Sequence, residues 1–155
     1  MRKVTKKKKV VVKRAKIIHK IKSEYLGKVY GKQFLELVPR VVKRLRAIKR
    51  EHPFDAIAFR GSSGAALAFP LSFLLKMPLI HVRKGSSHYS GTIEGTISSK
   101  RYIIIDDFID RGTTIKKIIS EIKKEIGAKP VAICLYSAGQ YGPKAKHQGI
   151  PLFSV

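Results

Sequence analysis

Four short apolar runs constrain this chain more than any other feature of its sequence: Asp55 to Phe59, Pro78 to Val82, Tyr102 to Asp106 and Pro130 to Tyr136. Each is five to seven residues long and mainly apolar, with His81 the one polar residue inside a run. Strands of that kind are buried on both faces, as in parallel sheets. Helical patterns separate them. Ala65 to Leu75 follows the first run, and a helix opening at Thr113 or Thr114 and running to about Ile126 follows the third, with Gly127 as its stop signal. Strand, helix, strand alternation predicts an α/β fold, a three-layer open parallel sheet with helices on both faces. At 155 residues the chain suits one such domain.

The remaining segments are less regular. Tyr30, Phe34, Leu37, Val38, Val41, Leu45 and Ile48 recur at three- and four-residue steps, predicting an amphipathic helix that Pro39 kinks or divides in two. Lys84 to Gly95 is rich in Ser and Gly and reads as a loop or a flexible hairpin. Gly139 to Gly149 reads as loop, and Pro151 to Val155 as a last short strand. The single cysteine, Cys134, sits in an apolar run and reads as a buried core thiol.

Charge divides the chain. Residues 1–50 hold 19 Lys and Arg against Glu24 and Glu36, a net of +17 within a total of +23. We expect a basic arm over residues 1–24, with a short strand at Val10 to Val12, and a domain over 25–155. A basic end of this strength favours polyanions, so nucleic acid is an expected partner through this region, beside the alternative of a solvated lysine-rich surface. No run reaches the roughly 20 apolar residues of a membrane span. Met1 to Lys9 leads into only three apolar residues, too few for a secretory signal, so a cytoplasmic location without membrane contact is expected.

The third strand carries the chemistry. Tyr102-Ile103-Ile104-Ile105 ends in Asp106-Asp107, and Phe108-Ile109-Asp110-Arg111-Gly112-Thr113-Thr114 then turns into a helix. Backbone amides over Asp110, Arg111, Gly112, Thr113 and Thr114, with the helix dipole and two hydroxyls, suit a phosphate dianion. Gly112 lets the main chain approach the ligand. Asp106 and Asp107 suit two adjacent ribose hydroxyls, and Mg²⁺ with its retained waters can link such oxygens to a pyrophosphate.

This segment resembles the phosphoribosyl pyrophosphate (PRPP) motif of the type I phosphoribosyltransferases, with Phe108 standing where a smaller aliphatic is usual. The resemblance implies that fold, with a small hood formed from terminal segments. It also implies transfer of ribose 5-phosphate from PRPP to a nucleobase with Mg²⁺ as cofactor, in nucleotide metabolism, and commonly a homodimer, for which a helix face within Leu26 to Ile48 is available. On this likeness Asp106 and Asp107 orient the sugar and serve the metal. Arg60-Gly61-Ser62-Ser63-Gly64 looks like the pyrophosphate loop, joined by Arg83 and Lys84, although the same residues also suit an ordinary strand-to-helix turn. Ser87, His88 and Tyr89 lie in the place of the flexible loop that closes over the reacting centre; His88 also reads as an exposed loop histidine.

Asp110 is the informative position. Hypoxanthine-guanine and xanthine-guanine enzymes carry an aspartate here, which implies a 6-oxopurine acceptor, purine salvage and Asp110 as general base. The same residue also suits a cap for the following helix. That branch places a lysine near the end of the fourth strand, and Leu135-Tyr136-Ser137-Ala138 has none. Tyr136 is left to stack on the base or to join the core. The alternative function is a nucleic-acid-binding regulator or structural protein that keeps the PRPP pocket.

Overall fold

A computed structural model describes residues 24–85, 91–137, 139, 141–142 and 144–155. The basic arm up to residue 23, the strand expected at Val10 to Val12, and Ser87, His88 and Tyr89 lie outside the described residues. Two helices come first, α1 (Glu24–Lys28) and α2 (Gly31–Glu51). β1 (Ala56–Arg60), α3 (Gly61–Leu75), β2 (Leu79–Val82) and β3 (Ile93–Gly95) follow, and then β4 (Arg101–Asp106) and α4 (Thr113–Ile126). β5 (Lys129–Leu135), β6 (Lys146–His147) and β7 (Ile150–Ser154) complete the chain.

All strands join one sheet in the order β3-β2-β1-β4-β5-β7-β6. The inner five are parallel, while β3 and β6 pair antiparallel at the two edges. Strand pleating explains the three layers. In β1, Ile57 and Phe59 point to one face and Ala56 and Ala58 to the other; in β4, Ile103 and Ile105 oppose Tyr102 and Ile104. The first face packs on α2 and α3 through Val41, Leu45, Leu67 and Leu71. The second packs on α4 through Ile115, Ile118 and Ile122. Burial of both faces is why these strands carry unbroken apolar runs.

Several expectations are corrected. Pro39 does not divide the helix: α2 is continuous from Gly31 to Glu51, and the break falls at Val29 and Tyr30 instead. Pro39 is exposed, so the carbonyl that its missing N–H leaves unbonded can be met by solvent. The segment Arg60 to Gly64 is not a separate turn, because α3 starts at Gly61, directly after β1. Of the two expectations for Lys84 to Gly95, the hairpin agrees with β3, which pairs antiparallel with β2, whereas the stretch expected as loop between Gly139 and Gly149 contains β6. Within the segment expected to offer an apolar face, Leu37, Val38, Val41, Leu45 and Ile48 are buried in the core, while Leu26, Tyr30 and Leu35 are exposed. Exposed apolar side chains also stand on α3, at Phe69, Phe73 and Leu74. Among the described residues no helix is long and apolar enough to cross a membrane.

Candidate functional site

Counting only the parallel strands in chain order, the sheet reads second, first, third, fourth, fifth, so the winding direction reverses between β1 and β4. In doubly wound sheets a crevice opens at the carboxyl ends of the strands on either side of such a reversal. The cavity found there has a volume of about 330 Å³ and is lined by Arg60, Ser63, Lys84 and the run Asp106 to Ile115. Arg60 ends β1 and Asp106 ends β4, so the parallel register of the two strands brings the first and third loops of the chain to one place.

The acid pair is buried. The Ser63 hydroxyl donates to Asp106 Oδ1 at 2.9 Å, and the backbone N–H of Asp107 donates to the same oxygen at 3.0 Å. Burial pushes the Asp106 carboxyl up to about 7, against the Ser63 hydrogen bond, which favours the charged form; proximity to Asp107 adds to the rise. The ends of β4 and β5 are stitched together behind the pair. Tyr136 N–H donates to Asp106 O at 3.2 Å and Ser137 N–H to Asp107 O at 2.9 Å.

Beyond the acids, Asp110 and Arg111 are exposed and face each other at 3.9 Å. Asp110 does not cap α4. The N-cap is Gly112, at φ 72°, which has no side chain to cap the first turn. The first-turn amides of α4 therefore have no acceptor from the cap residue, and they start beside a cavity whose lining includes Thr113 and Thr114. Gly112 is required twice over: its φ belongs to the left-handed region, and a Cβ there would lie 2.6 Å from both Cε1 and Nε2 of His147. His147, from β6, thus packs on the back of the loop.

On the other side, Gly61 has φ 73°, and a Cβ there would lie 2.5 Å from Lys84 Nζ, so the lysine amine reaches over the start of α3. Arg60 Nε is buried and has no hydrogen-bond partner among the described residues. An unpaired guanidinium N–H at the edge of a cavity suits an anion. Arg83 points elsewhere, with Nη1 3.0 Å from Glu94 Oε1 on β3. Ser62 is not among the lining residues, and its neighbour Ser63 is. Tyr136 is buried in the core, its hydroxyl donating to Ser63 O at 2.6 Å, which ties the end of β5 to the first turn of α3.

Sequence reasoning missed Ser63 and His147. Ser63 was within reach as part of the Arg60 to Gly64 segment; the contact of His147 with Gly112 had no local signal. Two carboxylates with oxygen-only chemistry suit a hard cation that completes its shell with water and ligand oxygens. Among the described residues, no group of three or more His, Cys, Asp or Glu side chains gathers to hold a metal by itself.

This sheet, with its reversal point and its acid pair over a helix start, has the fold of the type I phosphoribosyltransferases. No family model matches the sequence. The chain is similar to the orotate phosphoribosyltransferase of Pyrobaculum aerophilum, 29% identical over 126 residues, covering 77% of this chain and 65% of that one. It is also similar to the transcriptional regulator GfcR of Thermoplasma acidophilum, 26% identical over 132 residues, covering 82% of this chain and 65% of the regulator. The matched stretch therefore spans under two thirds of either relative's length. Among solved structures, the orotate phosphoribosyltransferase of Francisella tularensis superposes with a TM-score of 0.59 at 20% identity, covering 81% of this chain and 66% of that one.

Proposed function

We propose that the protein is a phosphoribosyltransferase that transfers ribose 5-phosphate from PRPP to a nucleobase and releases pyrophosphate. The observation that carries this reading is the meeting, in one cavity, of a buried acid pair with a helix start opened by a left-handed glycine. One feature suits ribose hydroxyls and the other suits a phosphate. Arg60, with its unpaired Nε, and Lys84, at Gly61, supply positive charge where the leaving pyrophosphate would lie. Similarity to an orotate phosphoribosyltransferase supports the same chemistry.

In this reaction the bond from ribose carbon 1 to pyrophosphate breaks as a base nitrogen attacks the same carbon. The Asp110 to Thr114 loop holds the 5-phosphate, so that binding energy far from carbon 1 positions the sugar. Asp106 and Asp107 orient the ribose hydroxyls. They would also hold Mg²⁺, which when bound supplies charge neutralisation for the pyrophosphate oxygens. Asp110, exposed and 3.9 Å from Arg111, takes the proton from the attacking nitrogen. We further propose a 6-oxopurine as the acceptor, on the aspartate at position 110, with a homodimer as the working assembly in the cytoplasm.

Calorimetry with PRPP, with and without Mg²⁺, tests the pocket: Mg²⁺-dependent binding is expected, and its loss in the Asp106→Asn, Asp107→Asn variant. No PRPP binding by the wild type would overturn the assignment. A turnover screen over hypoxanthine, guanine, xanthine, adenine, uracil and orotate tests the acceptor. Consumption of orotate or adenine alone would remove the 6-oxopurine choice and keep the transferase.

A second reading is favoured by the net +17 of residues 1–50 and by the similarity to GfcR: a regulator that binds nucleic acid and keeps the PRPP pocket. Its test is nucleic-acid affinity against salt, which falls steeply when phosphates are contacted.

A further inference from the structure

The outer face of α2 combines features that the transferase reading does not use. From Pro39 to Arg50 the helix has six cations and no acid: Arg40, Lys43, Arg44, Arg46, Lys49 and Arg50. Two are engaged with rings, Arg44 over Phe153 at 5.1 Å and Lys49 over Phe54 at 5.5 Å. The other four are exposed, and among the described residues no ion pair neutralises any of them. At 100° per residue, Arg40, Lys43, Arg46 and Arg50 fall within one solvent-facing arc, opposite the buried Val41, Leu45 and Ile48. They span a rise of about 15 Å.

Like charges packed this closely repel, and folding alone does not reward the arrangement. A polyanion does. The apolar stripe of α2 is committed to the core, so the helix cannot lay that stripe into a lipid surface as an interfacial amphipathic helix does. What remains to a partner is charge and the bidentate geometry of three guanidinium groups, which matches phosphate oxygens. Over a rise of about 15 Å a nucleic-acid duplex presents several phosphates, at one charge per roughly 1.7 Å of axis. The residues preceding α1 add eleven further Lys and Arg and no acid.

We infer that the outer face of α2 is a binding surface for the phosphate backbone of nucleic acid, with Arg40, Lys43, Arg46 and Arg50 as its contacts. The surface is distinct from the cavity between β1 and β4, since none of these four residues lines that cavity. The inference deepens the second reading above and stands whether or not the cavity turns over PRPP.

The test uses the full chain and fluorescence anisotropy with labelled mixed-sequence DNA and RNA duplexes, at salt from about 50 to 200 mM. The variant is Lys43→Glu, Arg46→Glu, Arg50→Glu. A control with the same change in net charge, Lys116→Glu, Lys123→Glu, Lys124→Glu, alters α4 on the opposite face of the sheet. Circular dichroism establishes that both are folded. The wild type should bind at low salt; the α2 variant should lose affinity by about tenfold or more, and its log-log salt slope should fall by about 2.7, at about 0.9 per lost phosphate contact. The control should keep the wild-type slope. Tighter binding to one of the two duplexes identifies which nucleic acid is preferred. No wild-type binding at low salt, an equal effect of both variants, or tighter binding to anionic phospholipid vesicles than to either duplex would each overturn the assignment. PRPP calorimetry on the same α2 variant should match the wild type, which separates failure of this surface from failure of the pocket.

Discussion

Replacing Asp106 by Asn should make the ligand-free protein more stable while removing PRPP binding. Asp106 Oδ1 accepts both local hydrogen bonds, from the Ser63 hydroxyl and the Asp107 N–H, and an amide oxygen accepts the same two. The change therefore keeps the contacts and removes the charge. Burial raises this carboxyl from 3.8 to about 7 in the fold. The folded pKa lies above the unfolded one, so the group's favourable contribution is complete below about pH 4 and is lost as pH rises toward 7. At 1.36 kcal/mol per unit, the loss is about 4 kcal/mol at pH 8 and about 2 kcal/mol at pH 5. Asn carries no such dependence. The melting temperature of Asp106→Asn should then exceed that of the wild type by an amount that grows from pH 4 to 7 and levels off above it. For a chain of this length the plateau corresponds to on the order of 10 °C. Calorimetric melts in Mg²⁺-free buffers across this range provide the assay. A difference that is flat with pH, or an Asn variant less stable than wild type at pH 8, would refute the reasoning.

Gly112→Ala combines left-handed backbone strain of about 1–2 kcal/mol with a Cβ only 2.6 Å from the His147 ring, so it should lower thermal stability and weaken PRPP binding together; an unchanged melt would contradict the contact. Tyr136→Phe leaves the Ser63 carbonyl without its 2.6 Å donor and should cost about 1–3 kcal/mol in denaturant unfolding. Burial pushes the Cys134 thiol up to about 12, so an aromatic disulfide reagent should leave it unmodified in the native protein and modify it once denaturant is added.

How much of this was legible in the sequence depended on the range of the interactions. The five inner strands lie within one residue of their expected bounds, most securely β1 and β4, where burial on both faces forces an apolar run into the sequence. Helix α4 begins at Thr113 and stops at Gly127, at φ 69°, since capping chemistry is local. The edge strand β6 was not legible as a strand, and β3 was legible only as one arm of a hairpin. Each is three residues or fewer, and each exists through pairing with a neighbour rather than through a pattern of its own. The acid pair could be read from Tyr102 to Asp107, but its hydrogen-bond donor Ser63 lies 43 positions earlier in the chain. Arg83 was expected beside the pyrophosphate, and its ion pair with Glu94 on β3 is a contact between strands that no local pattern marks.

The passage from β1 to α3 leaves no connecting residue between Arg60 and Gly61, and Gly64 allows the helix to lie close enough that an added Cβ would meet Phe59 Cβ at 2.9 Å and Ile105 O at 3.0 Å. Ser63 therefore cannot swing on a hinge of its own. For the Ser63 backbone to move away from Asp106, a fifteen-residue helix must shift against the sheet, which leaves rotation of the serine side chain as the one local way to exchange the hydroxyl. Conformational entropy on this wall of the cavity is surrendered when the chain folds, and a ligand arriving later meets a surface already in position.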